Sequence, residues 1–114
     1  MFEVFPNELS LWQKKGALLL DVRSEAEYAS GHIPGARNIP LERLLEELDT
    51  LQSPIITLCA TGNRAGLAAE VLEYEGFEAG KLVGGVQGYA ALGYRLERSK
   101  NLEPPFRPEE APCT

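Results

Sequence analysis

A cysteine followed five residues later by an arginine, with a glycine between them, is the grouping in this chain best suited to chemistry: Cys59-Ala60-Thr61-Gly62-Asn63-Arg64. The residues before it, Ile55-Ile56-Thr57-Leu58, read as a buried strand, and those after it read as helix. A thiol at that junction stands at the mouth of a ring of backbone N–H groups, from Ala60 to Ala65, and at the positive end of the following helix. Such a nest favours an anion, so the expected state of Cys59 is the nucleophilic thiolate. Gly62 allows a turn that a Cβ would hinder. Arg64 brings the loop's one charged side chain, fit to bind loop carbonyls or an anionic substrate. Thr61 and Asn63 either contact substrate or face water as turn-formers. A buried structural cysteine is the competing reading of Cys59, but that role has no use for a glycine and an arginine at these spacings.

The remaining composition narrows the chemistry. Cys59 and Cys113 are far apart, no C-x-x-C occurs and His32 is the only histidine, so no metal site is expected. Cys113, beside the C-terminus in a proline-rich stretch, reads as an exposed thiol rather than a disulfide partner of Cys59. The chain has 114 residues, which is enough for one domain with its own core. Its net charge of −6, from 11 basic against 17 acidic residues with no basic block, argues against nucleic acid or an anionic membrane as partner. No apolar run is long enough to span a bilayer, and no secretory signal pattern opens the chain, so the expected setting is cytoplasmic.

Alternating strands and helices must hold the loop in place. Glu3-Val4-Phe5 reads as a short strand, and Pro6 as the first turn of a helix carrying Leu9 and Trp12. Ala17 to Val22 is a continuous apolar run, apart from Asp21, suited to a strand buried on both faces. Ser24-Glu25-Ala26-Glu27 has the capping-box pattern, with Glu27 as partner of Ser24. Gly31 to Gly35 is a turn cluster. Leu41, Leu44, Leu45, Leu48 and Leu51 suggest an amphipathic helix. After the Cys59 loop, Leu67, Ala68, Val71 and Leu72 form a helical stripe ended by Gly76. Lys81-Leu82-Val83 reads as a strand, Gly84-Gly85 as a tight turn and Val86 to Leu92 as a last helix. This alternation predicts a parallel α/β sheet covered on both faces, with the active site at the carboxyl ends of its strands. Residues 1–96 form the expected domain. Residues 97–114, rich in proline and charge, form an expected extended tail with at most one docked side chain, Phe106.

Three segments resemble one known family. Asp21 to Pro40 (DVRSEAEYASGHIPGARNIP) resembles the N-terminal signature of rhodanese-like domains, Cys59 to Ala65 its active-site loop, and Leu82 to Tyr94 its C-terminal signature. They occur in the family's order. The resemblance implies a three-layer α/β/α fold with a five-stranded parallel sheet. It also implies sulfurtransferase chemistry without cofactor. Cys59 would take a sulfane sulfur from a donor such as thiosulfate and pass it, through a persulfide, to cyanide, a thiol or a partner protein. Residues 60–65 would form the substrate loop, with Asp21 and Arg23 supporting it: Asp21 as half of an ion pair, Arg23 in the framework or facing the pocket. His32 would be structural, bonding within its turn. In the related cysteine phosphatases the loop is one residue longer, so the spacing here favours sulfur over phosphate monoesters. The chain departs from the family pattern in having Tyr89, Val86 and Arg95 where Trp, another aromatic and Pro are frequent. The alternatives to a freely turning-over enzyme are a sulfur-relay module and a binding module for a partner protein.

Overall fold

The computed structural model describes residues 1–98. Five strands, β1 (Phe2–Val4), β2 (Leu18–Asp21), β3 (Arg37–Asn38), β4 (Ile55–Leu58) and β5 (Ala79–Leu82), form one sheet. Their order is β1-β5-β4-β2-β3 and every pairing is parallel. Four α-helices flank it: α1 (Leu9–Lys14), α2 (Glu25–Ser30), α3 (Asn63–Tyr74) and α4 (Gly85–Ala91). No helix among the described residues is long and apolar enough to cross a membrane. Phe106 and Cys113 lie outside the described residues.

Alternation along the central strands sends side chains into two cores. Leu20, Ile55 and Cys59 pack under α3 with Ala65, Ala68, Ala69 and Leu72. Leu19, Ile56 and Leu58 pack on the other face with Leu9, Ile33 and Val86. Strand β4 is buried along its whole length, which is why its sequence shows no polar–apolar alternation. Its one hydroxyl, on Thr57, lies 2.8 Å from the Ala65 carbonyl and 2.9 Å from that of Gly80, so the first turn of α3 is tied to the sheet.

The structure corrects two helical expectations. Residues 41–51 form 3-10 turns at Leu41–Glu46 and Leu48–Thr50, not an α-helix. Leu41 and Leu44, then Leu48 and Leu51, are each spaced by three, the repeat of a 3-10 turn, and Leu45 is left 63% exposed. In α3 the buried stripe is Ala65, Ala68, Ala69 and Leu72, while Leu67 points outward. The alanines let α3 lie close to the sheet, so burial follows small size rather than hydropathy. Strand β3, two residues long, was not visible in the sequence. It exists because Leu20 and Asp21 offer a paired edge to Arg37 and Asn38.

Past α4 the chain returns to the domain. Glu97 and His32 exchange two backbone hydrogen bonds of 2.7 Å. Leu96 packs against the core of that face.

Candidate active site

From β2 the chain winds to β3 on one side, and from β4 to β5 on the other. Neighbouring β2 and β4 therefore mark the point where the winding reverses, the place at the carboxyl ends where open α/β sheets bind ligands. Four sequence-predicted residues come to this end: Asp21 closes β2, Arg23 lies just beyond it, Cys59 follows β4 and Arg64 is in the first turn of α3.

Cys59 is 1% exposed. The Gly62 N–H donates to its Sγ across 2.9 Å, so the loop turns an amide toward the sulfur as the sequence requires. Gly62 makes this possible with φ +121, a conformation that strains any residue carrying a Cβ. Ala60 is half-buried and Ala65 fully buried. Thr61 and Asn63 are exposed, and neither side chain makes a hydrogen bond within the described residues.

The loop is held from behind by α4. The Val86 N–H donates to the Cys59 carbonyl at 2.7 Å and the Gln87 N–H to that of Ala60 at 3.0 Å. These are donors that a helix start leaves unpaired, used here to fix the loop. Gly85 admits the contact: a Cβ on it would lie 2.5 Å from both carbonyl oxygens, and its φ is +66. Gly85→Ala is expected to cost about 3 kcal/mol, combining overpacking with left-handed strain, and to displace the Cys59 loop. Chemical denaturation, together with the rate of Cys59 alkylation, checks both parts.

Asp21 and Arg23 form a buried ion pair. Arg23 Nε lies 3.0 Å from Asp21 Oδ1, and its Nη2 lies 2.8 Å from Oδ2 and 2.7 Å from the Gly31 carbonyl. The Arg23 N–H also donates to Oδ1. Arg23 therefore belongs to the framework, joining β2 to the turn after α2. Asn38 Nδ2 donates to the carbonyls of Asp21 and Arg23, each at 3.0 Å, locking β3 to the same corner. His32 bonds to α2 rather than within its own turn, its Nδ1 2.9 Å from the Tyr28 carbonyl and its ring stacked on Tyr28.

Glu27 is the residue whose role the sequence conceals. It caps Ser24 as expected, with the Ser24 N–H 3.1 Å from Oε1. The same carboxylate grips Arg64 at both ends, Nη1 to Oε1 at 2.8 Å and Nη2 to Oε2 at 3.0 Å. The two partners lie on helices of opposite sheet faces and are 37 positions apart, so no local pattern connects them. The Arg64 guanidinium, followed by the Ser24 donors, holds the Glu27 carboxyl at about 2. The hydrogen bonds to Glu27 push Arg64 above the usual guanidinium value.

A carboxyl lowered from 4.5 to about 2 contributes stability above pH 4.5 and loses it as pH falls toward 2. Both side chains are about two-fifths exposed, at 40% and 39%, so water screens the pair. Glu27→Gln is expected to cost about 0.5 kcal/mol at pH 7, a deficit that closes between pH 4.5 and 2. Denaturation midpoints across that range measure it.

Among the described residues, no three His, Cys, Asp or Glu side chains come together as a metal site. The arrangement offers one thiol, an amide aimed at it and, in the first turn of α3, a guanidinium clamped by Glu27.

The comparisons agree with this geometry. Residues 5–92 match the rhodanese-like domain family. The chain is similar to the thiosulfate sulfurtransferase GlpE of Pseudomonas putida, 34% identical over 67% of this chain and 73% of that one. It is 40% identical to the uncharacterized protein YqhL of Bacillus subtilis over 53% of this chain, a match spanning about half (49%) of that relative. Its structure resembles that of a rhodanese-related protein from Thermoplasma volcanium, with TM-score 0.79 and 29% identity over 87% of this chain and 100% of the other. A matched domain over residues 5–92 and a five-stranded parallel sheet with flanking helices place this chain in the rhodanese-like domain family.

Proposed function

We propose that the protein is a sulfurtransferase in which Cys59 carries the transferred sulfur. The observation that bears most on this is the 2.9 Å contact from the Gly62 N–H to Cys59 Sγ at the reversal point of the sheet. An amide so placed stabilises negative charge on sulfur, and both halves of the reaction create it. In the first half, the Cys59 thiolate attacks the outer sulfur of a donor. With thiosulfate, the Sγ–S bond forms, the S–S bond of thiosulfate breaks, and its electron pair leaves with sulfite. In the second half, a nucleophile such as cyanide or a thiol attacks the outer persulfide sulfur, and the electron pair returns to Cys59. Ala60 to Ala65 supply the cradle, and Asp21 and Arg23 fix the corner on which it rests. The protein needs no cofactor for either step.

Intact mass of the reduced protein after incubation with thiosulfate, or with a polysulfide, tests this. The expected result is a DTT-reversible gain of one sulfur atom, which peptide mapping places on Cys59. No gain with either donor overturns the proposal in favour of a binding module. Adding cyanide then separates an enzyme, which discharges rapidly, from a relay that waits for a partner protein.

A further inference from the structure

The loop 59–65 has one basic side chain, Arg64, and that side chain is already occupied. Both terminal nitrogens face Glu27 oxygens, at 2.8 and 3.0 Å. Glu27 is itself held by the Ser24 N–H and Oγ, at 3.1 and 3.2 Å on Oε1, so swinging away would give up its half of the capping box of α2. The neighbouring arginine is cancelled in the same way, since Arg23 lies 2.8 Å from Asp21. Each arginine of this corner thus meets one carboxylate, and the two pairs carry no net charge.

Sulfur donors differ in what they ask of such a corner. Thiosulfate is a dianion whose sulfonate end needs a cation of its own, beyond the amides that stabilise the sulfur. An organic persulfide, R–S–SH, brings its reacting sulfur with at most one negative charge and needs only those amides. We propose that Glu27 sets donor specificity: by neutralising Arg64 it turns the Cys59 loop away from dianionic thiosulfate and toward thiol-borne sulfane sulfur. This deepens the sulfurtransferase reading and rests on it. In the transfer, the Cys59 thiolate attacks the outer sulfur of R–S–SH. The Sγ–S bond forms, the R–S to SH bond breaks, and the electron pair leaves with R–S⁻. The proton stays on the transferred sulfur, so Cys59 becomes Cys–S–SH with no oxidant or reductant required. Glu27 touches no reacting atom and acts through Arg64, so it is a positioning and specificity residue rather than a catalytic one.

A charge series tests the proposal. Glu27→Gln raises the corner by one positive charge and keeps the cap, because glutamine serves at this helix position as glutamate does. Arg64→Gln lowers it by one, and the double variant restores neutrality. The readout is the ratio of kcat/KM for thiosulfate to that for 2-hydroxyethyl persulfide, measured by loading of Cys59. In the unsubstituted protein the persulfide is expected to be the better donor by at least about tenfold, the scale of one unscreened unit charge near a dianion. Glu27→Gln is expected to raise the thiosulfate-to-persulfide ratio about tenfold, mainly through KM, and added salt is expected to shrink that gain. Arg64→Gln is expected to lower the ratio, and the double variant to return it toward the parent value. A parent that prefers thiosulfate, a ratio that stays within about twofold in both single variants, or one that moves the same way in both, overturns the specificity role while leaving Cys59 chemistry intact. Failure of both donors to load Cys59 in the unsubstituted protein overturns the sulfurtransferase reading and this inference with it.

Discussion

Cys59→Ser is expected to fold like the parent and to lose sulfur transfer by on the order of a thousandfold or more, because the step depends on a polarisable sulfur nucleophile. The substitution is nearly isosteric at a residue only 1% exposed, and the Gly62 N–H can donate to Oγ as it does to Sγ. Stability should therefore change little, which separates lost chemistry from lost structure. Two measurements decide it: thiocyanate formation in the presence of cyanide, and the mass of the protein after exposure to a sulfane donor. A serine variant that still gains a sulfur atom would move the nucleophile elsewhere, with Cys113 the remaining thiol.

Asp21→Ala is expected to cost about 3–5 kcal/mol of stability, the largest loss from any single side chain in the framework of the site. Asp21 is fully buried and Arg23 is 6% exposed. Removing the carboxylate leaves a guanidinium in the core with only the Gly31 carbonyl and no opposite charge beside it. Most of the cost comes from that uncompensated cation rather than from the lost attraction. The double variant Asp21→Ala with Arg23→Met should therefore recover a large part of the loss. Urea denaturation of the three proteins measures it. A cost under about 1 kcal/mol for Asp21→Ala would mean that water reaches Arg23 and that the pair does not hold the corner.

These two residues hold different relations to the sequence. Cys59 was legible because strand, glycine, arginine and helix are consecutive, and each has a local physical signature. The capping box of Ser24 and Glu27 and the buried character of β4 were legible for the same reason, whereas the partner of His32, a carbonyl of α2, was not. Gly85 was legible in kind, as a close approach of the chain to the loop. The carbonyls it meets, those of Cys59 and Ala60, are named only by the structure.

Where local pattern and packing disagreed, packing decided. The leucines of residues 41–51 satisfy a helical template, yet a spacing of three within each half lets two 3-10 turns bury Leu44 and Leu51 and cover part of Leu41 and Leu48, with Leu45 left exposed. The alanines of α3 carry little hydropathy, but they are the residues small enough to lie on the sheet.

The sequence by itself determined the α/β class, the junction that carries Cys59, Gly62 and Arg64, and its place at the carboxyl end of a strand, since each follows from neighbours along the chain. Only the tertiary structure decided what Arg64 does. Its partner, Glu27, sits on the opposite face of the sheet, and the two meet because the winding reverses between β2 and β4. An ion pair between elements on the two faces depends on distances no periodicity encodes. It converts the loop's single positive charge into a neutral clamp, and with it the electrostatics around the Cys59 loop.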